Sequence, residues 1–477
     1  MVHCIIMHAP WICVMGSDAL SENTHHLPSV HIEQAGIEPV PADLKTVGFL
    51  DQFSIFVNFL INPSVMLHGG AAVAMGLSFK AACIAVGLGT LSALIPYTMI
   101  TRIGVDYGIP GQVAARMSFG IRGAQLIPSA ARAICSVYFF ALNTIIGTIA
   151  VHALILQVTG LALSLPVIGI LFGLLQIVFA VLGYDWLKKM SRFVLPMKIA
   201  IISYFVFLLT HQSDPAFHPL AVWNYEGKHA WSWVIIAIWF NTGCSSWLSM
   251  ITDAADFCRY SSDRRVTYRA VGLASLCGTM IATIFGAYAA SAVKGADGNV
   301  FTILSAHYPD HLSLLLIFVL LLFDNISINS LNIYTGGLSL ENIFPSLKRT
   351  TATAIVSAFG IALSASQDVV HNLIGYVDAI GSMFAPITGI IIADVLILRK
   401  GRIDVRELFD RNGPYWFWHG FNIRALSSTV AGVALYYSIP VEFLRPLLVF
   451  FVSGLFYLLL SVFMRQSSGP RHVSSPD

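Results

Sequence analysis

Twelve apolar segments recur along this chain, at roughly 49–76, 79–101, 126–157, 163–183, 190–211, 231–254, 267–292, 311–337, 350–367, 371–398, 424–439 and 442–464. A hydrocarbon core about 30 Å thick is crossed by about 20 apolar residues in helical form. Inside lipid every backbone N–H and C=O must be satisfied within the structure, and a run of this length meets that demand as a helix. Only 11% of the 477 residues are charged and 56% are hydrophobic, against about 25% charged in soluble domains. The pattern predicts an all-α integral membrane protein with twelve transmembrane helices.

Lys and Arg accumulate on the cytoplasmic side of membrane proteins. With the N-terminus inside, seventeen of them fall in the cytoplasmic loops and four in the outer ones. That split predicts a multi-pass protein of the cytoplasmic membrane with both termini cytoplasmic. Residues 1–47 read as a mostly disordered tail. Their short apolar patch lacks the basic lead-in of a signal peptide. Residues 48–400 read as the core of ten helices, 401–465 as a loop with helices eleven and twelve, and 466–477 as a second tail.

No zinc spacing, HExxH or GxxxxGK[ST] loop occurs, which argues against a metalloenzyme or a self-contained ATP-driven pump. The seven cysteines form no CxxC pair and mostly lie in apolar runs, as small core residues do.

Three predicted helices carry features that lipid does not tolerate. The first contains Asn62-Pro63 and then Gly69-Gly70. Proline removes a backbone donor, so this is either a simple kink or a break lining a cavity. The sixth contains the small polar patch Asn241–Ser246. Interruptions in corresponding helices of two halves point to a transporter whose solute binds at the breaks. The eighth turns from LSLLLIFVLLLF to DNISINSLNIYTGG, with Asn325, Asn329 and Asn332 on one helical face. These amides are interhelical ties or the lining of a polar site. In the third helix Phe139 and Asn143 share a face, which suits a flat ligand with hydrogen-bonding edges, and Arg132 lies earlier as a snorkelling residue or a partner for an acid.

Four stretches carry a family resemblance. ITDAADFCRY (251–260), AARMSFG (114–120), NSLNIYTGGLS (329–339), and IIADVLILRKGRIDVRELF with GPYWFWHGFNIRA (within 391–425) resemble the signatures of nucleobase–cation symport family 1. This family holds the cytosine, purine, uracil, thiamine and allantoin permeases. The resemblance covers residues 30–465 in order.

It implies a leucine-transporter-like fold, a 5+5 inverted repeat plus two accessory helices. Substrate is then expected among helices one, three, six, eight and ten. Phe139 and Trp247 match the aromatic pair that stacks the ring, and Asn143 the amide of helix three. Ser245 and Ser246 match the unwound segment of helix six, and Asn329 and Asn332 polar positions of helix eight.

Sodium-coupled members hold the ion between carbonyls of helix one and two adjacent hydroxyls of helix eight. The matching pair here is Ser327 and Ile328, so one hydroxyl is missing, while Asp324 lies one turn earlier. Asp324 is expected either to take up a proton or to give sodium an anionic ligand. Asn62 and His68, at the break of helix one, complete the ion-coupling set, with a hydrogen-bonded structural role as the alternative for His68. Asp256 and Arg259 are expected to form a cytoplasmic gate or a plain interfacial ion pair.

The resulting expectation is a secondary active symporter importing a nucleobase, cytosine or a purine foremost, coupled to H+ or Na+. Allantoin, hydantoins or a pyrimidine vitamin precursor are the alternatives within the family. A membrane-embedded enzyme is the alternative outside it, without a catalytic constellation to support it. No cofactor beyond the coupling ion is expected. The expected partners are the small-molecule substrate and membrane lipids, with no nucleic acid and no obligate protein.

Overall fold

The structure is a computed structural model that describes residues 36–180, 184–293, 295–366 and 368–467. The expectations for residues 1–35 and 468–477 lie outside the described residues. Helices coincide with all twelve apolar segments. The first, α1, comes in two pieces, Phe49–Leu60 and Pro63–Ala74. There follow α2 (Phe79–Tyr107), α3 (Ala130–Thr159), α4 (Leu165–Ala180), α5 (Tyr184–Thr210) and α6 (Trp233–Leu248). The remainder are α7 (Arg264–Ala292), α8 (His311–Ile343), α9 (Arg349–Ser364), α10 (Leu373–Ile392), α11 (Ile423–Ser438) and α12 (Arg445–Ser467). Among the described residues, seven helices are long and apolar enough to cross a membrane, and eight if the bent pair in α1 is one span.

The helices sort into two mutually packed groups. Both pieces of α1 lie against α7, α2 packs on α6 and α7, and α3, α4, α8 and α9 pack on one another. Helix α5 touches both groups, through the first piece of α1 and through α8. Helices α10, α11 and α12 pack together, with α10 also on α6.

The break in α1 follows from Asn62-Pro63. The Asn62 side chain donates to the Phe59 carbonyl at 2.6 Å and accepts from the Val65 N–H at 3.1 Å. One residue therefore closes the end of one piece and caps the start of the next, with proline at the favoured first position. The two pieces meet at 44°. Beyond the break, Gly69 and Gly70 lie so close to the carbonyls of Thr283 and Gly298 that neither position has room for a Cβ.

The break in α6 lies later than the sequence suggests. The patch at 241–246 is helical, and the helix ends only at Leu248, before a short piece at Asp253–Asp256. The hydroxyls of Thr242 and Ser246 donate to the carbonyls of Ile238 and Thr242 on their own helix, and Gly243 packs tightly against Val86 and Thr90 of α2. Internal bonds and dense packing outweigh the weak helix propensity of the patch. Ser245 and Ser246 thus sit in a helical turn, not in an unwound segment.

Residues 36–47, which the sequence assigns to the tail, pack on one end of the bundle. Val40 and Val47 donate to the carbonyls of Gly108 and Tyr260, and Ile37 N–H reaches Glu341 Oε1 at 3.3 Å. Lys45 Nζ donates to the Val105 carbonyl at 2.7 Å; burial lowers its pKa, with Asp106 partly offsetting the effect.

Candidate functional site: an aromatic and amide-lined cavity at the break of α1

A cavity opens where the second piece of α1 meets α3, α6 and α8. Its walls hold Asn62, Ser64, Val65 and His68 from α1, with Phe139 and Asn143 from α3. Ser246, Trp247 and Met250 of the sixth helix and its turn, with Ile328 and Asn332 of α8, complete it. Seven of the residues singled out in the sequence therefore converge here: Asn62, His68, Phe139, Asn143, Ser246, Trp247 and Asn332.

The aromatic side is built from Phe139 and Trp247, with Phe59 stacked behind Trp247 at a centroid distance of 6.1 Å and an interplanar angle of 28°. The polar side is partly committed. Asn143 donates to the Phe139 carbonyl at 2.8 Å and accepts from Ser64 Oγ at 2.7 Å. His68 is buried beside the Trp239 ring, and neither ring nitrogen has a hydrogen-bond partner among the described residues. A buried imidazole without a partner is costly, and this one belongs to the cavity wall. The hydrogen-bonded structural role that the sequence allowed for it is absent among the described residues.

The free volume is about 30 Å³, two to three times the roughly 10–15 Å³ that one water needs. A heterocyclic ring enters only if the walls part.

Other predicted residues lie elsewhere. Asn329 turns to α3 and α4, donating to the Phe140 carbonyl, Thr144 Oγ1 and Gln176 Oε1 at 3.2, 3.1 and 2.6 Å. It is an interhelical tie, whereas Asn332 lines the cavity with its amide donating to Asn329 Oδ1 at 3.3 Å, so the two roles open to these amides fall to two hydrogen-bonded neighbours. Ser245 faces Gly381 of α10 and Tyr436 of α11. Ser327 donates to the Phe323 carbonyl of its own helix at 2.7 Å. Asp324 is fully buried and paired at 2.5 Å with Lys198 of α5. The sequence reading passed over Lys198; its only signal was a single Lys in the apolar run FVLPMKIAIISYF.

At the end of the bundle that carries residues 36–47, Asp256 accepts from the Gly111 N–H at 2.8 Å. Arg259 donates to the Gly36 carbonyl at 2.7 Å and to the Tyr334 hydroxyl at 2.8 Å. Arg132 takes an acid as its partner. It meets Asp253 with both groups fully buried, and its second nitrogen also reaches Thr335 Oγ1 at 2.9 Å.

Two interrupted helices, a buried aromatic–amide cavity beside one break and a multi-pass helical body define a membrane transporter of the broken-helix type. The chain belongs to the family of permeases for cytosine/purines, uracil, thiamine and allantoin, which matches residues 39–459. It is 28% identical to the hydantoin permease of Microbacterium maritypicum over 87% of this chain and 85% of that one. It is 25% identical to a purine-uracil permease of Arabidopsis thaliana over 83% and 69%, and 27% identical to the cytosine permease of Escherichia coli K12 over 76% and 81%. Among solved structures, the fold is shared with Mhp1, a nucleobase-cation-symport-1 family transporter in a closed conformation with bromovinylhydantoin bound. That likeness has a TM-score of 0.78 and 21% identity over 92% of this chain and 97% of Mhp1. A Na+-coupled sialic acid symporter is similar at a TM-score of 0.63 and 12% identity over 90% and 92%.

Proposed function

We propose that the protein is a secondary active symporter that imports a nucleobase, cytosine or a purine foremost, by alternating access coupled to an ion gradient. The observation that carries this reading is the convergence of Phe139 and Trp247 with Asn143, Asn332 and His68 around one cavity. A nucleobase offers a π-face and an edge of donors and acceptors. Stacking on aromatic side chains is worth about 1–3 kcal/mol per base, and edge hydrogen bonds in a dry site discriminate, because an analogue lacking a group leaves a buried partner unpaired. The group α1, α2, α6, α7 moves against α3, α4, α8, α9, opening the cavity to each side in turn. The excess of Lys and Arg supports a cytoplasmic face bearing residues 36–47, with twelve spans and both termini inside.

Allantoin or a hydantoin is the second reading, favoured by the 28% identity to a hydantoin permease. These rings carry the same kind of amide edge and would use the same wall. Thermal stabilisation of the purified protein by cytosine, hypoxanthine, uracil, allantoin and hydantoin separates the readings. Stabilisation by cytosine, hypoxanthine or uracil, and by neither allantoin nor hydantoin, supports the first; stabilisation by none of the five removes both.

A further inference from the structure

We propose that the ammonium of Lys198 is a tethered cation that fills the ion position between the break of α1 and α8, so that sodium has no place there. The inference deepens the symporter reading and rests on it for its meaning in transport. The geometry is independent of the substrate.

The break in α1 leaves carbonyls without their helical donors. In a continuous helix the Ile61 carbonyl accepts from the N–H of residue 65, yet Val65 N–H is bound by the Asn62 side chain. The Asn58 carbonyl loses its donor likewise, since Asn62 adopts an extended backbone with φ −143° and ψ 162°. Orphan carbonyls in a dry interior need a donor or a cation. Lys198 Nζ supplies it, donating to Asn58 O at 3.0 Å and Ile61 O at 3.2 Å. The same nitrogen pairs with Asp324 Oδ1 at 2.5 Å, and both side chains are fully buried. An ammonium has three donor hydrogens; this one donates to the two orphan carbonyls and faces the Asp324 carboxylate as its charge partner.

The remaining features agree. Two carbonyl dipoles and one carboxylate facing a single positive charge are the donor set of a hard cation, here met by a side chain. The carboxylate and the ammonium cancel, so a sodium ion added at the same oxygens would bring an unbalanced charge into the interior. Among the described residues, Asp324 is the only acid paired with Lys198, and Asp51, on the same helix piece as Asn58, pairs with Arg192 instead. Helix α8 offers one hydroxyl instead of two: Ser327 Oγ donates to the Phe323 carbonyl and keeps its lone pairs, and Ile328 stands where the resemblance calls for the second. Sodium does not fit this set of residues. The same ammonium links α1, α5 and α8, and α5 touches both packed groups.

The test is equilibrium binding of radioactive sodium to the purified full-length protein, in choline chloride of matched ionic strength. No saturable binding is expected for the wild type. Lys198→Ala removes the tethered charge and leaves Asp324 with the orphan carbonyls, so saturable sodium binding is expected to appear, at least tenfold above the wild-type background. Lys198→Gln gives the same readout where the alanine variant does not fold. Saturable binding to the wild type, or no gain in a folded variant, overturns the proposal. Neither measurement involves a heterocycle. A failure of all substrates to bind or be taken up would therefore sink the transport reading separately.

Discussion

Arg132 of α3 and Asp253, in the short helical piece after α6, form a fully buried pair. Arg132 Nε lies 2.8 and 2.9 Å from the two carboxylate oxygens and a terminal guanidinium nitrogen 2.6 Å from one of them. The pair joins the two packed groups of helices close to the end that carries residues 36–47. Removing one member leaves the other charged and buried, which costs about 3–5 kcal/mol. Asp253→Ala is expected to lower the unfolding midpoint strongly and to raise labelling of cysteines placed beneath the pair from that face. A variant with wild-type stability and labelling would show that the pair is not a closure.

Trp247 and Phe139 are expected to carry ring stacking. Loss of about 1–3 kcal/mol corresponds to a roughly 5- to 150-fold weaker Kd in Trp247→Ala, and Phe139→Ala should lie in the same range. Isothermal titration with the bound heterocycle checks this. Unchanged affinity in both variants would place the ligand elsewhere.

His68 lacks a partner for either ring nitrogen, so His68→Leu is expected to keep or raise thermal stability while weakening ligand affinity about tenfold, the scale of one hydrogen bond. A stability loss with intact affinity would make it a structural residue.

Asn329 and Asn332 are expected to separate. Asn329→Ala strands Gln176 and Thr144 and should cost about 1–3 kcal/mol of stability, read by thermal unfolding. Asn332→Ala should instead lower uptake with a smaller change in midpoint. Equal effects on both quantities would contradict the division of roles between the two asparagines.

The helical plan was legible because each apolar run had to bury its backbone hydrogen bonds alone, which fixes a helix wherever the run is long enough. The break of α1 was legible too, since Asn62-Pro63 is a local signal. The end of α6 was not. Its polar patch reads as weak helix, but Gly243 against α2 and internal hydroxyl bonds keep it wound to Leu248. Partners were hidden for a different reason. Whether an asparagine faces Gln176 or a cavity depends on the rotation of α8, which three amides on one face leave open. Lys198 escaped because one charge in a long apolar helix barely alters its hydropathy, and its meaning depends on carbonyls more than a hundred residues earlier in the chain.

The most direct measurement is uptake of radiolabelled cytosine, hypoxanthine, uracil and allantoin into proteoliposomes, under separately imposed sodium and proton gradients. Concentrative uptake of a nucleobase under the proton gradient is expected, unaltered when choline replaces sodium and lost in Trp247→Ala. No concentrative uptake of any of the four, or equal uptake by Trp247→Ala, would contradict the assignment of this cavity to a transported heterocycle.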